Sequence, residues 1–197
     1  MSFADLLEKR RTIYGLGNQL PISESEIESV VKHALRHTPS AFNSQSARVV
    51  VLFGSAHDKL WQITMENLRK YVPTDGFAPT ESKINGFASG AGTVLFFEDQ
   101  AVVEYLKDNF ALYAKNFPIW SEQSSGMIQH VVWLRLTEMN VGASLQHYNE
   151  VIEADVGSEF TIPTNWKLIA QMPFGNIVSP AGDKDFKPLD TRFKVRR

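Results

Sequence analysis

The segment Ser124 to Tyr148 constrains this chain most. Met127, Val131, Leu134, Leu136, Met139, Ala143 and Leu145 spread apolar side chains around the whole circumference of a helix instead of along one stripe. Such a helix has no face to give to water, so it belongs at the centre of a fold or in a subunit interface, with Gly142 as an interruption. The rest of the chain has to wrap around it. With 197 residues, 43% hydrophobic and 21% charged, there is enough chain for one domain with a substantial core. No repeat, low-complexity tract or linker divides it, so residues 1–197 read as a single domain.

Ser2 can cap a short helix through Leu6 and Leu7, which runs into Arg10-Arg11-Thr12. Ser23 and Glu26 form a capping box, and Ile27, Val30, Val31, Ala34 and Leu35 repeat at the spacing of one helix face. Thr38-Pro39 stops that helix. The polar loop Ser40-Ala41-Phe42-Asn43-Ser44-Gln45 leads into Arg48–Phe53, a β-branched run that reads as a buried strand ended by Gly54. A helix is expected over Ala56–Tyr71, a loop around Pro73, Gly76 and Pro79, and a short helix near Lys83–Ser89. Beyond the Gly90-Ala91-Gly92 break, Thr93–Phe97 reads as a second buried strand ending at Glu98-Asp99, followed by a helix over Ala101–Lys115 that Pro118 closes. Gly157 and Pro163 bound a further loop, and Leu168–Met172 reads as a third strand before Pro173-Phe174-Gly175. Helices outnumber strands and no βαβ repeat appears, so the expected class is α+β.

Several chemistries are excluded. A formal charge of −2 and a pI near 6.2 give no overall basic field for nucleic acid or an anionic membrane, and the basic end Lys194-Val195-Arg196-Arg197 reads as a solvated tail. There is no cysteine, hence no disulfide, thiolate metal site or cysteine nucleophile, and redox chemistry would need a borrowed cofactor. The apolar runs fall well short of the roughly 20 residues a membrane span needs, and the first residues lack the apolar stretch of a signal peptide, so a cytoplasmic location is expected. Gly15-Leu16-Gly17 lacks the third glycine of a dinucleotide fingerprint, and the five histidines show no metallopeptidase spacing; His33 and His37, four apart, read as a solvated face.

Two features stand above this background. Arg10-Arg11-Thr12 offers two guanidinium groups and a hydroxyl to a phosphate, although an exposed helix end has the same composition. Pro39-Ser40-Ala41-Phe42-Asn43-Ser44-Gln45 offers hydroxyls and amides that both donate and accept, as the edge of a flavin pyrimidine would require, and as any polar turn also does. Their order is more specific than either alone. An Arg-Arg-Ser/Thr element, a helix, then Pro-Ser-x-x-Asn-x-Gln before a strand resembles the FMN-dependent nitroreductases. With Gly92-Thr93-Val94-Leu95-Phe96-Phe97-Glu98-Asp99 and Met172-Pro173-Phe174-Gly175, the chain is similar to the compact bacterial and yeast branch of that family along nearly its whole length.

That resemblance implies a nitroreductase-like fold, a central, mostly antiparallel sheet flanked by helices, in an intertwined homodimer with two FMN sites built from both subunits. Carried over residue by residue, Arg10, Arg11 and Thr12 would hold the FMN phosphate from one subunit, and Ser40, Ala41, Asn43 and Gln45 would approach the flavin from the other. Lys83 would lie near the pyrimidine ring, Gly142, Ala143 and Ser144 would pass close to it, and Lys184 and Arg192 would complete the phosphate site, although Asp190-Thr191-Arg192 departs from the family's usual Lys-x-Arg. The implied reaction is ping-pong hydride transfer from NAD(P)H through flavin N5 to small aromatic acceptors, nitroaromatics or quinones. No side chain is then required as acid, base or nucleophile. Phe42, Tyr113, Phe117 and Trp120 are candidates to line the acceptor slot, with ordinary packing as the competing reading. The rival functions are a flavin-binding redox or lipid-response regulator with slow turnover, a flavin-free binding module on the same fold, and a dehalogenase or flavin-fragmenting relative.

Overall fold

The computed structural model describes residues 2–197. Its elements in chain order are α1 (Phe3–Lys9), β1 (Gly15–Gly17), α2 (Glu24–His37), β2 (Ala47–Phe53), α3 (Gly54–Leu68), α4 (Ala78–Ala88), β3 (Gly92–Asp99), α5 (Gln100–Asn109), α6 (Phe117–Glu138), β4 (Gly142–Ala143), α7 (Asn149–Glu159) and β5 (Trp166–Ser179). The strands form one antiparallel sheet in the order β1-β5-β3-β2, with β4 also paired to β5. This is the expected α+β architecture.

The sheet is buried on both faces because its central strands alternate apolar residues in both directions. Val94 and Phe96 of β3 point into a core with Ile27, Val31 and Ala34 of α2 and Ile128, Val132 and Leu136 of α6. Leu95 and Phe97 point the other way, against Leu60 and Trp61 of α3, Ile84 and Phe87 of α4, and Ile152 and Val156 of α7. Phe96 pairs with Ala170 but Phe97 pairs with Leu168, so Ile169 is an extra residue in β5. This bulge turns Leu168 into the second core while Ala170, Met172 and Phe174 stay in the first.

The all-round apolar helix is present at the centre, shifted toward the N-terminus: α6 covers Phe117–Glu138, and 139–148 leave it. Asn140 adopts φ 59°, and the Val141 amide returns to the Leu136 carbonyl at 2.9 Å, which closes the helix and releases Gly142-Ala143 to pair with β5. Pro118 starts this helix and does not close the one before, because a proline in the first turn loses no helical hydrogen bond. The helix expected over Ala101–Lys115 stops at Asn109, where Phe110 leaves helical geometry and a single 3-10 turn, Ala111–Tyr113, follows. The third strand runs through Pro173-Phe174-Gly175 to Ser179, and its extension pairs with β1. Gly157 sits inside α7, a helix where a loop was expected.

Candidate functional site

The polar loop between α2 and β2 is held by its own chain. The Thr38 hydroxyl donates to the Ala34 carbonyl at 2.8 Å as α2 ends, and the Ser40 hydroxyl accepts from the Gln45 amide at 2.9 Å across a turn over Ala41–Asn43. Within this turn Phe42, Asn43 and Gln45 have φ of 57°, 51° and 47°. Left-handed backbone at a non-glycine residue costs roughly 1 to 3 kcal/mol, so three such residues persist only where the surroundings over-determine them.

Those surroundings can be named. The Phe42 ring lies 5.0 Å from Phe110, 5.2 Å from Phe117, 5.8 Å from Tyr113 and 6.1 Å from Trp120, centre to centre. On the other side, the Asp99 amide donates to the Ser46 carbonyl at 2.9 Å and Arg48 donates to the Gln45 carbonyl at 2.8 Å while pairing with Asp99 at 2.8 Å. The Ser46 hydroxyl donates to Glu98 Oε2 at 2.6 Å. Glu98 is fully buried, its Oε1 has no partner among the described residues, and burial pushes its carboxyl up to about 7 against the opposing pull of Ser46 and Arg48.

The four sequence-selected aromatic residues are thus brought together, with Phe110 as a fifth ring that the sequence reading missed. Ser40 and Gln45 line a cavity of about 380 Å³ with Thr38, Arg36, Arg48 and Ser124. The exposed amide ends of Asn43 and Gln45 make no hydrogen bond among the described residues.

Arg10, Arg11 and Thr12 sit elsewhere on the protomer. Arg10 caps α1, and its guanidinium lies 4.5 Å from the centre of the Trp133 ring on α6. Burial, then the neighbouring Arg11, lower its affinity for its proton. Arg11 donates to the Gly182 carbonyl at 2.7 Å. Neither arginine takes part in an ion pair among the described residues. The Ile13 amide donates to the Ala143 carbonyl at 2.9 Å, which ties this segment to β4, and Arg11, Gly142 and Ala143 line a second cavity of about 220 Å³. A Cβ at Gly142 would come within 2.9 Å of Ile177, so the missing side chain there serves the packing of β4 on its own protomer. Ser144 is buried and accepts from Gln146. Lys83 is exposed on α4 with its amine 5.9 Å from the Phe87 ring, which in turn lies 6.3 Å from Tyr14. Lys184 and Arg192 stay on the exposed tail, near Phe186 and the Lys187 carbonyl. Of the candidate residues, Ser40 and Gln45 line one cavity and Arg11, Gly142 and Ala143 another, while Lys83, Lys184 and Arg192 line neither.

The Nitroreductase family model matches residues 7–176. The chain belongs to the nitroreductase family. Membership places it among oxidoreductases. Putative nitroreductase HBN1 of Saccharomyces cerevisiae is 37% identical over 187 residues, 94% of this chain and 93% of that protein. Nitroreductase CinD from Lactococcus lactis, solved in complex with 4-nitrophenol, is 47% identical over the whole of both chains, with a TM-score of 0.91. The same protein in complex with nicotinic acid superposes with a TM-score of 0.93 at the same identity and coverage. Among the described residues, no helix is long and apolar enough to cross a membrane.

Proposed function

We propose that the protein is an FMN-dependent oxidoreductase that acts as a homodimer and passes reducing equivalents from NAD(P)H to flat aromatic acceptors, nitroaromatics or quinones. The observation that carries this reading is the division of the site. One group, Arg10 and Arg11, offers two cations with no acid partner among the described residues; the other, Asn43 and Gln45, offers unpaired amides on a rigid loop. A molecule with a phosphate at one end and a heteroaromatic edge at the other satisfies both. A C2 dimer that sets one group against the other subunit's second group would make two such sites.

The residues fit FMN. Two half-buried guanidinium groups repel each other until an anion arrives, and a phosphate takes charge-assisted bonds from both. The Ser40–Gln45 loop is already in its strained shape, so no ordering cost falls on binding the ring edge. When bound, FMN supplies the redox chemistry, taking a hydride equivalent from the nicotinamide and giving it to the acceptor. The protein's residues bind and orient the reactants. Phe42 and Tyr113, exposed in the protomer and backed by the buried Phe117 and by Trp120, offer aromatic faces against which a flat acceptor can stack. The nitroaromatic in the CinD complex and its nicotinic acid, a pyridine ring like that of nicotinamide, support the proposed acceptor and donor.

Exposed apolar side chains support the homodimer. Ile119 and Met127 on α6, and Val178, Phe186, Leu189 and Phe193 on β5 and the tail, face solvent in the protomer. The test is the visible spectrum of the purified protein before and after anaerobic NADPH or NADH. Flavin bands that bleach, then return with 4-nitrophenol or a quinone, support the oxidoreductase; bands that never bleach favour a flavin-binding regulator; no bands even after FMN is added remove the flavoprotein reading.

A further inference from the structure

Glu98 has no part in the chemistry above, yet it sits directly beneath the loop assigned to the flavin. It lies near the end of β3, opposite Ala47 on β2 and Lys167 on β5. It is fully buried, and its Oε2 bonds to Ser46, whose Oγ is 3.4 Å from Ser44 Oγ. Ser44 stands between Asn43 and Gln45, two of the residues held in left-handed backbone. Carboxyl, hydroxyl and hydroxyl form a chain from the strand to the loop.

The proton on Glu98 sets the direction of that chain. With the acid neutral, its O–H donates to Ser46 Oγ and the Ser46 proton turns to Ser44. With the acid ionised, Ser46 must donate back to the carboxylate and can only accept from Ser44, whose hydroxyl proton is then turned away from the loop. The ionised state is also poorly housed, because Oε1 has no donor among the described residues. Of the charges around Glu98, Arg48 favours ionisation, while Asp99 and Glu122 oppose it; the Lys167 amine on β5 is taken up by Glu122 at 3.1 Å. A buried anion here draws in water or shifts Ser46, and either loosens the loop.

We propose that Glu98 is a positioning residue for the Ser40–Gln45 loop, and that its neutral form is the one that holds the loop in its FMN-binding shape. This inference rests on the FMN reading above. It makes FMN retention depend on pH through a residue that does not touch the flavin, with the step near pH 7 where burial places the Glu98 carboxyl.

The test is the Kd of FMN for the full-length chain, from flavin fluorescence, at intervals between pH 5.5 and 8.5. The wild type, Glu98→Gln, Ser46→Ala and the double variant are compared. The flavin phosphate ionises near pH 6 in every variant, so the readout is the ratio of wild-type Kd to Glu98→Gln Kd. The ratio is expected to be near one at pH 5.5 and to rise about tenfold by pH 8.5, the equivalent of one unit of carboxyl pKa. In the Ser46→Ala background the Glu98 substitution should no longer matter, because the chain is cut. Superimposed wild-type and Glu98→Gln profiles overturn the inference, as does a Glu98→Gln effect that survives without Ser46. Absence of FMN binding by the wild type at every pH overturns the function reading itself.

Discussion

The loop over residues 40–46 and the tail over residues 180–197 are the two least regular parts of the chain, and their chemistry is opposite. The loop carries three left-handed residues, yet it is fixed through Phe42 against four aromatic rings on one side and by Glu98, Asp99 and Arg48 on the other. The tail has no strained residue and almost no anchor: Arg11 holds it at Gly182, beyond which Phe186, Leu189 and Phe193 are exposed. Strain persists where packing over-determines the backbone, whereas the exposed apolar side chains of the tail would be covered by a second copy in the homodimer proposed above. The first is finished within one protomer; the second, on the proposed homodimer, is left for a second copy.

The comparison can be broken at either side. Replacing Arg10 and Arg11 together by Ala should give the largest effect, because each charge-assisted phosphate bond contributes about 1.5 to 3 kcal/mol. FMN affinity by fluorescence titration should fall more than a hundredfold, and an unchanged Kd would remove the phosphate assignment. Phe42→Ala should come next, lowering unfolding free energy in urea by about 1 to 2 kcal/mol, since it takes one ring out of the cluster and keeps the backbone strain. Phe42→Gly should be the more stable of the two by about 1 kcal/mol, because glycine adopts φ 57° freely. If Ala proves the better replacement, the strain account is wrong.

A smaller effect concerns acid stability. Trp61 donates to the Thr93 hydroxyl, which bonds to His57 Nδ1 at 2.9 Å, while Nε2 donates to the Ala88 carbonyl at 3.1 Å; burial holds the His57 pKa below its usual value. A depressed pKa means that its contribution is present above the unfolded value near 6.5 and is lost as pH falls through the folded one. The urea midpoint should therefore drop on acidification below about pH 6.5, and less steeply in His57→Gln. Glu98 acts in the opposite sense, since a raised pKa contributes stability that is lost as pH rises through about 7, and Glu98→Gln should remove that loss. The smallest effect belongs to the tail. Lys184→Ala and Arg192→Ala should each change protomer stability by less than about 0.5 kcal/mol, read as the thermal midpoint at fixed dimer occupancy.

Much of this was legible in the sequence where the signal is local. The capping box at Ser23 and Glu26, the helix face Ile27 to Leu35 and the buried run of β3 fold as their patterns indicate, whereas β2 forms as a strand but lies half-buried at the sheet edge, where no second neighbour covers it. The central helix was legible as a need for burial, but its ends were not, because Pro118 starts a helix as readily as it stops one. β1 is Gly-Leu-Gly, which has no strand propensity and exists only because the end of β5 pairs with it. Within the candidate site, the polar loop stood out by residue type, and Phe42 with three of its aromatic neighbours, Tyr113, Phe117 and Trp120, was selected only once the family resemblance implied a flat acceptor. Glu98 was not: an acid after an apolar run reads as a strand end, and what makes it a buried partner is Ser46, fifty-two residues away. The platform that Trp133 gives Arg10 is equally non-local.

The central claim, that the site joins two groups from two subunits, is tested most directly by complementation. One variant carries Arg10→Ala and Arg11→Ala, the other Asn43→Ala and Gln45→Ala; each alone should be inactive in NAD(P)H-dependent reduction of 4-nitrophenol. After the two are unfolded together and refolded, half the dimers are mixed, and each mixed dimer has one site free of both changes, so about a quarter of wild-type activity should return. A mixture as inactive as its parents would contradict the account, because it would place both groups in the site of a single subunit.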